Sequence, residues 1–480
     1  MRRGVVVAVL LFATATLGLG QDNASNEVSA ERQEIELLKQ KIAELDQRLR
    51  IAERKNELKA EDDAIKAKAG ITLDAVAAKE NALENKVKGF GPFTFSGDLR
   101  LRHETLLGGG FVNATEPATR NRERYRIRFN VNAKLNDEIS GGFSLASGDV
   151  GDPISTNNTE TGFFTRKPFS IDKAFASYKP KYLKPFSVTA GKFGYTWYRT
   201  ELTFDNDINV EGSSQQISWD WKDKPFSHFA VIGFELPLWE VSNGSDSAIF
   251  GEQIQTGWTL GSRVKAIADV AYYDYKNPNT IVQNQTNGNG YATQGIATGQ
   301  GGTYGFSAAT LANSYGVIGG ARQFGSKFGI VDSILQLDFD TGIKRFPLTT
   351  IFNFADNTRA CENVGAFVAA GVTLTIPCNA RDRQGYWAEA QFGQTKNKGD
   401  WRFGYTFMRI EREAVVAAFD ASDIRQGTNI AQHRIEGAYQ AYPNVTLALT
   451  TFIGRQLVTA STPVEERWLK RMQFDFNYKF

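Results

Sequence analysis

The sequence predicts an all-β transmembrane barrel of about 16 antiparallel strands, preceded by a short α-helical coiled coil. Three observations carry that fold class. First, apolar and polar residues alternate with period two from residue 93 to the end, in stretches longer than the strands of most water-soluble sheets. Second, the connections between these stretches alternate short and long. Third, the final stretch puts Phe474, Phe476, Tyr478 and Phe480 on one face and Gln473, Asp475, Asn477 and Lys479 on the other. In water such an aromatic face needs a packed partner, whereas a bilayer covers it directly.

Composition narrows the function classes. A disordered chain would not carry 34 Phe and 16 Tyr. A bundle of membrane helices would not average a mean hydropathy of −0.34 without an internal apolar run of about 18 residues. A net charge of +2 gives no support to a nucleic-acid partner.

The elements follow in chain order. Met1-Arg2-Arg3, an apolar stretch from Val5 to Phe12 and small residues up to Gly20 have the layout of a cleaved secretory signal over residues 1–20. The other reading of this segment is a single N-terminal anchor. Residues 21–90 read as a periplasmic coiled-coil stalk. Ile35, Leu38, Ile42, Leu45, Leu49 and Ala52 follow a 3-4 spacing, with Lys39, Lys41, Glu44 and Arg48 outside the seam. The register then meets Asn56, Lys59 and Asp63, and a second apolar set, Leu73, Val76, Leu83 and Val87, follows Gly70 in shifted phase. A solvated single helix, or one packed on its own domain, is the alternative.

Residues 91–480 are expected to form the barrel. Its first strand alternates Phe93, Phe95, Leu99 and Leu101 with Thr94, Ser96, Asp98, Arg100 and Arg102. The second alternates Tyr125, Ile127, Phe129, Val131, Ala133 and Leu135 with Arg122, Arg124, Arg126, Arg128, Asn130, Asn132 and Lys134. Further strands fall near 139–149, 170–180, 185–195, 208–221, 225–236, 254–260 and 263–275, then 329–341, 344–354, 385–396, 400–412, 427–441, 443–455 and 466–480. Segments 254–275 and 313–328 fit the alternation poorly, so 14 or 18 strands are also compatible. Short connections such as Asn136-Asp137-Glu138 and Tyr442-Pro443-Asn444 alternate with long ones at 150–168, 237–253, 276–328 and 355–384. An even strand number puts both barrel ends, and the stalk, in the periplasm. The Gly-, Asn- and Gln-rich loop 276–328 either enters the lumen, covers the outer mouth or stays on the surface. Cys361 and Cys378, the only cysteines, share one loop of an exported chain and are expected to form a disulfide.

With the apolar face outward, Arg100, Arg102, Arg122, Arg124, Arg126, Arg128 and Lys134 are expected to line the lumen. Such a ladder either draws anions into a water-filled channel or pairs with acidic residues of an infolded loop. The acidic candidates follow the fifth strand: Trp197 to Glu201, then Asp205-Asn206-Asp207, then Glu211-Gly212. Arg199, Asp205, Asp207 and Glu211 therefore form a candidate constriction loop, or are plain turn residues. No enzyme, cofactor or metal is expected. His103, His228 and His433 lack metal-ligand spacing, and Gly142 to Ala146 lacks the strand-to-helix setting of a nucleophile elbow.

The terminal Phe with Tyr478 two residues before it resembles the C-terminal signature of bacterial outer-membrane barrels. Gly97-Asp98-Leu99-Arg100-Leu101-Arg102, the Arg-alternating strand, Ala190-Gly191-Lys192-Phe193 and the stretch from Asp205 to Gly212 together resemble the bacterial putative porin family. That resemblance implies an outer-membrane porin: passive diffusion of small hydrophilic solutes or ions, a setting of outer-membrane lipid, and a homo-oligomer with a trimer favoured, whereas Ile at a with Leu at d in the heptads nominally favours a dimer. Two further readings stand beside it. One is a structural anchor whose coiled coil contacts the cell wall or a periplasmic partner, and the other is a phosphate- or anion-selective pore.

Overall fold

The computed structural model describes residues 92–107, 119–241, 244–286, 312–457 and 468–480. The expected signal and coiled coil lie outside the described residues. Sixteen long strands are joined by fifteen connections, which for most of the chain alternate short and long. They are β1 (Phe93–Leu107), β2 (Arg120–Lys134), β3 (Ile139–Ser147), β4 (Phe169–Tyr178), β5 (Phe186–Phe193), β6 (Val210–Asp220), β7 (Phe226–Trp239) and β8 (Ser247–Leu260), followed by β9 (Val264–Lys276), β10 (Gly329–Phe339), β11 (Leu348–Asn357), β12 (Gln384–Gly393), β13 (Trp401–Ile410), β14 (Ile430–Tyr442), β15 (Val445–Gln456) and β16 (Leu469–Lys479). Every neighbouring pair is antiparallel, and β1 pairs with both β2 and β16, so the sheet closes without a free edge. A two-residue piece, Asn158–Thr159, adds a seventeenth member to the sheet against β2.

The ladder between β1 and β16 runs from Leu107 opposite Lys470 to Asp98 opposite Lys479 and is extended by Phe480. Gly97 and Phe480 exchange backbone hydrogen bonds at 2.8 and 3.0 Å. A side chain at 97 would meet the Phe480 ring and the Arg128 carbonyl, so glycine is required there. The short turns are built locally. In the first, the Asn136 side chain accepts hydrogen bonds from the Glu138 and Ile139 amides, both at 2.8 Å.

The outward face is apolar, as alternation requires. Phe95, Leu101, Ile254, Phe352, Phe403 and Phe474 all stand exposed on it, where hydrocarbon covers them. The inward face departs from simple alternation. Along β7, Ala230, Ile232, Phe234 and Leu236 point inward and are buried, and Ile330, Met408 and Ile410 behave likewise. Two long connections descend into the lumen and cover these residues: 194–209, after β5, and 411–429, after β13. One side of the barrel is thus filled by an apolar core, and the remaining space is bordered by β1, β2 and the inner faces of β11–β16.

The structure corrects several sequence expectations. Strand β8 begins at Ser247 rather than 254, because Ala248, Phe250, Glu252 and Ile254 continue to pair in register with β9, which shortens the expected loop 237–253 to 240–246. Segment 313–328 adds no barrel strand: Tyr315–Ile318 and Ala321–Phe324 form a hairpin in a separate small sheet with Leu374–Ile376. Residues 287–311 of that loop lie outside the described residues. The expected disulfide Cys361–Cys378 is present, with a Cα separation of 5.7 Å.

Candidate functional site

The loop after β5 is launched by a glycine pair. Gly191 and Gly212 face each other across β5 and β6 with φ of +115° and +134°. A side chain at either would drive into a carbonyl of the next strand. Between them the chain turns inward, and its apolar residues attach to the filled side of the lumen. Trp197 stacks on Phe234 at 3.9 Å, Phe204 meets Tyr273 edge-on at 5.4 Å, and Leu202 is fully buried.

Its polar groups reach strands far from β5. The Tyr198 hydroxyl donates to Gln336 on β10 at 2.5 Å, and Gln253 on β8 accepts from the Tyr198 amide and donates to its carbonyl at 2.9 and 2.7 Å. Thr200 donates to Asn353 on β11. Glu201 pairs with Arg434 on β14 at 2.5 Å, and Arg434 also contacts Glu389 and Glu436 at 3.3 and 3.4 Å. The second loop clasps the first: the Asp205 amide donates to the Phe419 carbonyl at 2.7 Å, and the Ser422 amide donates to the Asp205 carboxylate at 2.6 Å.

On the open side stands the arginine wall. Arg100 lies opposite Arg126, and Arg102 opposite Arg124. Such a stack of like charges requires counter-charges, and most are present. Arg102 grips Asp475 on β16 through two hydrogen bonds of 2.7 and 2.8 Å and reaches Asp423 of the second loop at 3.1 Å. Arg126 and Arg128 share Asp98, and both lie within 4 Å of Asp207 in the first loop. Arg122 and Arg471 share the fully buried Glu104.

The loop carboxylates respond in opposite senses. Burial pushes Asp205 well above the usual carboxylate range, and Asp207 and Glu201 add to the rise. Burial does the same to Asp420, reinforced by Asp205 and Glu201. Burial would also raise Asp423, but Arg471, Arg102, Arg124 and Arg100 outweigh it and hold that carboxyl well below the range. The second loop is therefore attached to the arginine wall by ion pairs and to the first loop by hydrogen bonds with backbone amides and carbonyls.

Between loops and wall lies a cavity of about 550 Å³. Four of the seven expected pore-lining residues border it: Arg100, Arg102, Arg126 and Arg128. Arg122 and Arg124 stand on the same wall, with Arg122 on Glu104 and Arg124 donating to Ser155 at 3.3 Å. Lys134 is corrected: it sits at the short-turn rim, largely exposed, against Asp137 at 3.4 Å. Arg199, Asp205 and Asp207 border the cavity from the loop. Glu211 does not belong to that loop. It lies on β6, largely exposed, and pairs with Lys192 at 2.9 Å.

Sequence reasoning missed the loop 411–429 and the Arg434 cluster. The signal for the first was the run Ala414-Val415-Val416-Ala417-Ala418-Phe419, too apolar for an exposed connection. The signal for the second was the inward parity of Arg434, Glu436 and Glu389 in strands already recognised.

A closed barrel of sixteen strands, apolar outside and narrowed inside by an infolded loop against a charged wall, defines an outer-membrane channel. The sequence profile of the family described as putative porin matches residues 109–480, and the chain belongs to that family. No curated protein matches the chain by sequence. Among solved structures it is similar to a Salmonella typhi OmpF in complex with daunomycin, at 10% identity over 81% of this chain and 97% of that one, TM-score 0.44. It is likewise similar to Pseudomonas putida OprB at high pH, at 10% identity over 82% and 96%, TM-score 0.46. A mutant Rhodopseudomonas blastica porin shows 9% identity over 81% and 100%, TM-score 0.39.

Proposed function

We propose that this barrel is a passive pore of the bacterial outer membrane for small hydrophilic solutes or ions, sized by the loop 194–209 and biased by charges on either side of the cavity. One observation carries the reading: a loop anchored on β8, β10, β11 and β14 leaves a polar cavity beside the arginine wall instead of filling the lumen. The charges are distributed unevenly. Three carboxylates surround the single guanidinium of Arg434, whereas the wall of β1 and β2 holds more guanidiniums than carboxylates. The field therefore runs across the passage, which orients dipolar solutes and leaves net ion preference small. The heptads of residues 35–52 support a homo-oligomer with its stalk in the periplasm, in reach of the cell wall.

The test is conductance of the purified, refolded full-length protein in a planar bilayer, with the reversal potential read under a salt gradient. Stepwise openings with a small reversal potential are expected. Silence from a barrel whose β-structure is confirmed by circular dichroism would overturn the pore and favour the anchor.

A further inference from the structure

Charge bookkeeping on the arginine wall leaves two guanidiniums over. Asp98 serves Arg126 and Arg128, Glu104 serves Arg122 and Arg471, and Asp475 with Asp423 serves Arg102. Arg100 and Arg124 make no salt bridge of their own among the described residues, and Asp423, already bonded to Arg102 and Arg471, acts on them only through space. Arg100 donates only to the Asn157 side-chain carbonyl. The Asn157 amide donates to the Ser155 hydroxyl at 3.2 Å, which also accepts from Arg124 at 3.3 Å. The Nε atoms of both arginines are buried and make no hydrogen bond to protein. Two cations are thus linked only by neutral groups of the loop after β3, and Arg100 and Asn157 both border the cavity.

A buried guanidinium flanked by like charges is costly unless an anion reaches it. Elsewhere on this wall a carboxylate does so. Here Arg100 borders the cavity, with Arg126 beside it in register. We propose that the cluster Arg100–Asn157–Ser155–Arg124 is an oxyanion-binding step on the wall of the passage, which transiently holds the phosphate, sulfate or carboxylate group of an anionic solute through hydrogen bonds from Arg100. Planar guanidinium donors suit all three groups. The inference rests on the pore reading and names a substrate class for it.

The test uses the full-length protein in planar bilayers carrying potassium chloride current, with inorganic phosphate, sulfate or acetate added to one side. Phosphate is expected to reduce the chloride current saturably. The relative potency of the three anions identifies which oxyanion the step favours. Asn157→Asp supplies the missing carboxylate directly to Arg100, and Arg100→Gln removes the cation. Each variant is expected to keep stepwise openings while raising the half-blocking concentration about tenfold or more, the worth of one charge-assisted hydrogen bond. Heat-modifiable gel mobility confirms that each barrel is folded, and either variant alone suffices. Openings with no saturable block in the unaltered protein, or with equal block in a folded variant, would overturn the oxyanion step and leave the pore standing. An unaltered protein that never opens would remove both.

Discussion

The attachment of the first loop to Arg434 makes a prediction whose sign is more telling than its size. Arg434 is largely buried among Glu201 at 2.5 Å, Glu389 at 3.3 Å, Glu436 at 3.4 Å and the Trp387 ring, whose centroid lies 5.0 Å from the guanidinium carbon. Replacing Glu201 by Gln removes one charge-assisted bond but leaves Arg434 with two carboxylates, a loss of about 1.5–3 kcal/mol. At about 1.4 kcal/mol per tenfold, the displaced-loop population should rise by roughly 10- to 100-fold. Replacing Arg434 by Ala strands three carboxylates together and should cost more, about 3–5 kcal/mol. The two losses must not add. Once the cation is gone, Glu201 becomes a liability, so the double variant Glu201→Gln/Arg434→Ala should be steadier than Arg434→Ala alone. Single-channel recordings read this as the fraction of time spent in noisy or enlarged openings, and liposome swelling reads it as admission of larger neutral sugars. Additive effects, or an Arg434→Ala channel as quiet as the unaltered one, would refute the latch.

Other expectations follow from the same contacts. Gly212→Ala forces a side chain onto the Glu235 carbonyl at φ +134°, and should lower the yield of heat-modifiable barrel or broaden the conductance distribution. Deleting Phe480 removes the backbone exchange with Gly97 that ends the closing ladder, and should slow folding into vesicles, followed by the gel-mobility shift. Replacing Cys361 and Cys378 by Ser should expose their loop to protease, with a local loss of about 3 kcal/mol for a ring of this size, and leave conductance steps unchanged. Asp205 and Asp420 have carboxyls raised by burial, so their protonated forms suit the fold. The clasp between the two loops should be firmest at acidic pH and loosen as pH rises through those elevated values, seen as increasing current noise. Asp420→Asn should flatten that dependence.

The barrel was legible because its signal repeats. Each strand is ambiguous alone, but Leu99/Arg100/Leu101/Arg102 beside Ile127/Arg128 gives the same inside and outside on neighbouring strands, and turn residues such as Asn136 and Asp340 fix the ends. The filled half of the lumen was not legible for the converse reason. Phe229 to Phe234 is apolar on both faces, which alternation alone assigns to no side. Only the descent of 194–209 and 411–429 explains why Ile232 and Phe234 tolerate pointing inward. The acids at Asp205 and Asp207 were visible as a cluster, but their roles were not, since burial and partner set them apart: Asp205 accepts from the Ser422 amide of the second loop and the Asp207 amide of its own, and Asp207 faces Arg126 and Arg128.

That asymmetry ties the fold to its chemistry. A loop that enters a barrel must satisfy its own backbone and bury its own apolar residues, or water would pull it out. Here the chain meets the requirement by making one half of the lumen hydrophobic, so that Trp197, Leu202 and Phe204 have somewhere to pack. The consequence is that the open space lies on the side of the barrel where the guanidiniums of β1 and β2 stand, and in the proposed pore solutes would pass beside them. Removing the apolar anchor should therefore act on selectivity as well as on size. With Leu202→Asp, whose side chain is fully buried against Gly385 and its neighbours, the loop should leave its seat and the passage widen away from the arginine wall. Conductance should rise while the influence of Arg100 on anions falls. A wider pore that retained its full response to Arg100→Gln would show that the wall acts without the loop pressing solutes against it, and this account of the asymmetry would then be wrong.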